Sequence, residues 1–258
     1  MNTSTPKSYP HDDVSGAPLG ARTLELPAQV TMQQAPSSQP QHSPAPVAAP
    51  AAMPTVNPFA DPTALGLFGL AIGCASLLPL AFGVKAAFTP DAVRMTAWFC
   101  LLFGAGCQFL AGMMSFANKN GLGGTLLTTF SFNWVMNWWG LSELAAGRPT
   151  SESVVLAVDC TFLLIFVVMT VAFGFFSRLL FAFLVDIVLL YGLRIARAVL
   201  HLPSLSLPIA LATLALMGIS LYIAFSLVLA NAAGRVILPI GAPLFKPTVA
   251  PGGAAPSH

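Results

Sequence analysis

From Ala64 to Gly234 the chain runs through six long apolar stretches separated by short polar breaks. A hydrocarbon core about 30 Å thick needs about 20 residues of helix, and backbone polar groups inside it must be paired within the segment, so each stretch predicts a membrane-spanning helix. The first, Ala64 to Gly83, is free of charge and is followed by Lys85. The second, Met95 to Ala117, has Gln108 and Ser115 as its larger polar interruptions. Asn118 to Gly121 leads into the third, Leu122 to Leu141, which is rich in Thr and carries Trp134, Trp138 and Trp139 toward its end. The three indoles read as an interfacial belt. Val154 to Phe176 is the fourth and holds Asp159; Arg178 marks the turn into the fifth, Leu179 to Val199, which holds Asp186 and ends near Arg194 and Arg197. The sixth, Leu205 to Ala233, has no charge, and Gly234 and Arg235 stop it.

Outside these spans the pattern vanishes. Residues 1–58 are rich in Pro, Ala, Gln and Ser without helical or strand periodicity, and 246–258 are similar. Both are expected to be disordered tails, since they cannot bury enough apolar surface to offset their ordering entropy. No secretory signal precedes the first span. The domain plan is therefore a tail, a membrane domain over 59–245, and a second tail.

Composition agrees with a bilayer as solvent. The 258 residues are 56% hydrophobic and 8% charged, against about 25% charged in soluble domains. The net charge of +2 offers no basic field for nucleic acid. Six spans place both termini on one side, but the positive-inside rule does not orient them. Lys119, Arg178, Arg235 and Lys246 lie on the terminal side, while Lys85, Arg94, Arg148, Arg194 and Arg197 lie opposite.

Glycines recur where helices would touch: Gly66, Gly69 and Gly73 in the first span, Gly104, Gly106 and Gly112 in the second, and Gly121, Gly123 and Gly124 opening the third. Small residues let transmembrane helices approach closely, so the pattern favours a tight bundle. Cys74, Cys100, Cys107 and Cys160 have no metal or redox spacing and read as small buried hydrophobes. His11, His42 and His258 lie in the tails and His201 in a loop, so neither a metal nor another cofactor is expected. Nor does any nucleophile set or phosphate loop suggest an enzyme.

The two intramembrane acids are the candidate chemistry. Asp186 lies about 12 Å past Arg178 along a helix. Asp186, Leu190, Arg194 and Arg197 follow i, i+4, i+8 and i+11 and form one stripe. A carboxylate at that depth takes up a proton, pairs with a cation or faces an interface, and all three readings of Asp186 are open. Asp159, six positions into its span, reads as hydrated or snorkelling. Lys85, Arg94, Arg194 and Arg197 would make a cationic mouth that concentrates anions.

Four segments resemble the acetate uptake transporter family. Asp61-Pro62-Thr63-Ala64-Leu65-Gly66-Leu67 is similar to that family's Asn-Pro-Ala-Pro-Leu-Gly-Leu signature at the start of the first helix. The run from Phe103 to Gly112, with Gln108, resembles its Gly-Gly-x-x-Gln-x-x-Ala-Gly. Asn120 to Trp134 and Gly234 to Gly241 resemble its third-helix and C-terminal motifs, in order and at family spacing. The resemblance spans about residues 60–241. It implies a six-helix subunit assembled as a hexamer in the plasma membrane, with both ends in the cytoplasm. It further implies passage of acetate, or a related small carboxylate such as succinate, with protons or by an uncoupled channel.

Carried over by position, the family's apolar constriction falls on Leu70, Phe130 and Ile187. An apolar neck needs polar groups beside it to replace an anion's water. Thr128, Thr129, Ser131 and Asn133 are candidates, against the alternative that their side chains bond back to their own helix. Asp61 stands where the signature has Asn, Ala64 replaces its second Pro, and Leu227 replaces an acid of the sixth helix. A non-conducting sensor or scaffold, using the Pro-rich tail as a partner-binding arm, is the alternative from another class.

Overall fold

The computed structural model describes residues 57–148 and 150–246. The expected N-terminal tail up to residue 56, and the C-terminal tail from residue 247, lie outside the described residues. All regular structure among the described residues is helical: α1 (Thr63–Ala81), α2 (Pro90–Ala117), α3 (Gly121–Ala145), α4 (Glu152–Phe173), α5 (Arg178–Leu200) and α6 (Ser206–Ala233). Single 3-10 turns occupy Lys85–Phe88 and Pro203–Leu205. Five helices are long and apolar enough to cross a membrane: α1, α2, α4, α5 and the last with its preceding turn. The expected third span, α3, is helical for 25 residues but falls short of them in apolarity. Its Thr, Ser and Asn side chains are the reason.

Local chemistry sets the helix ends. Asp61 Oδ1 accepts hydrogen bonds from the Thr63 amide and hydroxyl at 3.0 and 2.6 Å, so the Asp at the signature position supplies the acceptor that starts α1. α2 begins five residues before the expected Met95, because Thr89 accepts from the Ala92 amide and Pro90 is preset for the first helical position. Asn120 caps α3 through the Gly123 amide, and Ser177 caps α5 through the Leu180 amide. Gly234, in the left-handed region at φ 63°, ends α6. The segment beyond it turns back: the Arg178 amide donates to the Ala242 carbonyl, and Leu244 and Phe245 amides donate to the Gly174 carbonyl.

The helices form a ring in which α1 lies against α2 and α6, α2 against α3, α5 against α6, and α4 against α5. α3 and α4 meet through aromatic side chains, Phe130 edge-on to Phe166 with centroids 5.2 Å apart. Within α2 the helix widens to a π-helix over Cys100–Cys107, which places the Phe103 carbonyl and Cys107 against Gly69 of α1 with no room for a Cβ. Gly112 of α2 likewise sits on Thr128 of α3 with no space for a methyl group. Gly106 and Gly121 take no part in such contacts.

Trp134 departs from the expected belt. It is buried, and its indole fills a slot between Gly73 of α1 and Gly104 of α2, where a Cβ would lie 2.9 and 2.5 Å from the ring. Two glycines on neighbouring helices leave a flat gap that only a flat side chain fills. Trp139 is exposed and Trp138 half-buried. Cys160 also departs from its expected burial and lies exposed on α4.

Gly112→Ala is expected to lower the thermal unfolding midpoint in detergent, since overpacking costs about 1–3 kcal/mol. Gly218→Ala, whose surroundings are open, is expected to leave the midpoint level or raise it.

Candidate vestibules and neck

Two cavities occupy opposite ends of the ring. The larger, about 840 Å³, lies where α1, α3 and α5 end and α4 and α6 begin. Cys74 and Leu77 of α1, Asn133, Trp134 and Asn137 of α3, Asp159 of α4, Tyr191 and Arg194 of α5, and Thr213 of α6 line it. The smaller, about 130 Å³, lies at the terminal end between Leu67, Gln108, Asn120, Leu127, Phe173, Leu180 and Phe183. Phe130 lines both.

Helix register explains how one residue reaches two cavities. Along α1, Leu67 lines the smaller cavity and Cys74 the larger, with Leu70 between them on the same face. Along α5 the order is Phe183, Ile187, Tyr191 at successive steps of four. Along α3 it is Leu127, Phe130, Asn133 and Trp134. Leu70 and Ile187 are wholly buried and belong with Phe130 to one packed core. The three residues carried over from the family constriction thus occupy the level between the cavities.

Phe166 belongs to the same level. Wholly buried, it meets Phe130 edge-on and stacks on Phe162 and Tyr191 at 5.9 and 5.5 Å. Nothing in the apolar run of α4 distinguishes it from Phe162 or Leu163, so sequence reasoning had no signal for it. Tyr191 was also missed, although as the only tyrosine of α5, three residues before Arg194, its hydroxyl was a signal. Its hydroxyl donates to Asn133 Oδ1 at 2.8 Å, tying α5 to α3 at the floor of the larger cavity.

The polar candidates separate. Asn133 is buried and lines the larger cavity. Thr128, Thr129 and Ser131 line neither of these two cavities. Ser131 bonds back to the Thr128 carbonyl at 2.7 Å, while the Thr128 hydroxyl, pressed on Gly112, has no hydrogen-bond partner. Of the signature residues, Asp61 and Leu65 are exposed, Pro62 and Gly66 are buried, and Leu67 lines the smaller cavity. Gln108 is buried at the smaller cavity, and its Oε1 has no partner.

Asp159 departs from the reading expected of it, and one of the three readings of Asp186 falls. Arg194 Nη2 donates to Asp159 Oδ1 at 3.1 Å across 35 positions, and its guanidinium lies over the Tyr191 ring at 5.5 Å. Asp159 is therefore buried and paired rather than snorkelling. The ion-pair reading of Asp186 fails: Arg194 turns to α4, and Asp186 forms no ion pair among the described residues, with Oδ2 buried and unpartnered. The i, i+8 stripe set the face correctly, but residues eight apart are about 12 Å apart along the axis. A neighbouring helix offers a nearer acid. Of the cationic mouth, Arg194 and Arg197 line the larger cavity, together with His201.

No protein-family model matches the chain, and no curated protein matches it either. Among solved structures it is similar to the bacterial acetate channel SatP, with a TM-score of 0.63 and 19% identity over 71% of this chain and 99% of that one. The fold is shared, in keeping with the resemblance of the sequence segments to the acetate uptake transporter family.

Tyr191→Phe is expected to destabilise the fold by about 1–3 kcal/mol, the cost of leaving a buried acceptor unpaired. Chemical unfolding in mixed micelles measures it; no loss would mean that Asn133 finds another donor.

Proposed function

We propose that this protein carries small monocarboxylates, acetate foremost and succinate as a larger relative, across the plasma membrane. It acts as a six-span subunit of a hexamer with both ends in the cytoplasm. The anion passes between the two cavities through the neck at Leu70, Phe130 and Ile187. The observation that carries this reading is Phe130, which lines both cavities while the other two neck residues lie in register at the same level. No chemical conversion is part of the reading.

A carboxylate leaving water needs donors in place of its shell. Arg194 and Asn133 supply them on the larger side, and Asn120 on the smaller. The neck itself is apolar, which favours passage of the acid with a proton over passage of the bare anion. Asp186 is the proton's carrier in this reading: it neighbours Ile187 in the chain, has no cationic partner among the described residues and keeps one carboxyl oxygen buried. An uncoupled channel is the second reading, supported by the fold's likeness to a protein described as an acetate channel.

Purified protein in liposomes with labelled acetate tests both. Accumulation driven by an inward proton gradient is expected; equilibration indifferent to the gradient favours the channel, and absence of flux removes both. Phe130→Ala is expected to speed flux and weaken discrimination against larger anions. Asp186→Asn is expected to flatten the pH dependence of uptake, and an unchanged profile removes Asp186 from coupling.

A further inference from the structure

We propose that Arg194 is the recognition site for the travelling carboxylate, and that Asp159 is an internal carboxylate which the substrate displaces. The inference rests on the carboxylate-transport reading and assigns its site. Three features of the larger cavity carry it.

First, the ion pair is incomplete. A guanidinium presents five donors in a fork that takes a carboxylate by two parallel bonds. Arg194 gives Asp159 one bond, from Nη2, at 3.1 Å. The rest of the fork is open to another carboxylate. Second, the two partners are unequally placed. The Asp159 side chain is 8% exposed and that of Arg194 30%, so the acid sits in the wall while the cation reaches into the cavity that both line.

Third, the cation rests on an aromatic face. Arg194 lies over Tyr191, which is itself buried, bonded to Asn133 and stacked on Phe162 and Phe166. Arginine on an aromatic face keeps its fork pre-oriented. Around it, Leu156, Leu190, Ile209 and Leu216 offer an apolar wall. The ligand class that fits is a short aliphatic carboxylate, its head on Arg194 and its tail on these side chains.

Displacement also explains why an acid stands in an anion's path. The formal charges lining the cavity, Arg194 and Arg197 against Asp159 and Glu152, cancel when His201 is neutral. A fixed unopposed arginine would hold an anion too long, whereas conduction needs a site weak enough to leave. With Asp159 waiting, one carboxylate replaces another. Arg194 is never left unpaired, and the returning Asp159 helps the substrate depart.

Acetate uptake by the full-length protein in liposomes, at fixed pH, separates recognition from bracing. Arg194→Gln is expected to raise KM about tenfold, the worth of a charge-assisted hydrogen bond. Asp159→Asn is expected to move KM the other way, down about threefold, with a lower maximal rate. Bracing alone predicts that both variants shift KM in one direction or not at all, which would overturn the inference while leaving transport intact. Arg194→Lys keeps the charge and the pair but loses the fork. It decides the matter if either first variant is not monodisperse: a raised KM supports the site and an unchanged one overturns it. Absence of wild-type acetate uptake overturns the transport reading, and this inference with it.

Discussion

Helices in a bilayer gain nothing by hiding apolar side chains from lipid that is equally apolar, so a bundle is held where backbones come within van der Waals reach. Here that happens along α1, α2 and α3. Gly69 meets the Phe103 carbonyl, Gly112 receives Thr128, and Trp134 lies between Gly73 and Gly104. Each contact tolerates no added carbon. Together they lock three helices into the rigid half on which Leu70 and Phe130 are placed.

The other half meets it along two seams, α6 packed directly on α1 and rings between α3 and α4. Phe130, Phe166, Phe162 and Tyr191 form a continuous aromatic series from α3 through α4 to α5. Aromatic pairs of this geometry add about 0.5–1.5 kcal/mol beyond their buried area. The series therefore couples Phe130 to the floor of the larger cavity. A change in Phe166 would be felt at Phe130 on one side and, through Tyr191, beneath Arg194 on the other.

Much of this was legible along the chain. Helix order and the glycine contacts followed from the order of apolar runs and small-residue spacing, and most glycines marked for packing do pack. The start of α2 was misplaced because the Thr89-Pro90 cap lies in a polar stretch that hydropathy ignores. Trp134 was misread because its burial depends on Gly73 and Gly104, each on another helix. Asp159 was misassigned for a similar reason: a stripe on α5 identifies a face but not what faces it. Asp159, judged shallow and hydrated, is the nearer partner of Arg194.

By itself, the order of apolar and polar residues determined the solvent of this protein, its helical class and which residues of each helix share a face. Those are properties of one segment at a time, governed by backbone hydrogen bonding and the helical period. Only the tertiary structure decided that Leu70, Phe130 and Ile187 share one level, that Phe130 lines two cavities, and that Arg194 takes Asp159. These relations join residues 35 to about 120 positions apart, and distance between helices is set by packing, which no single segment encodes.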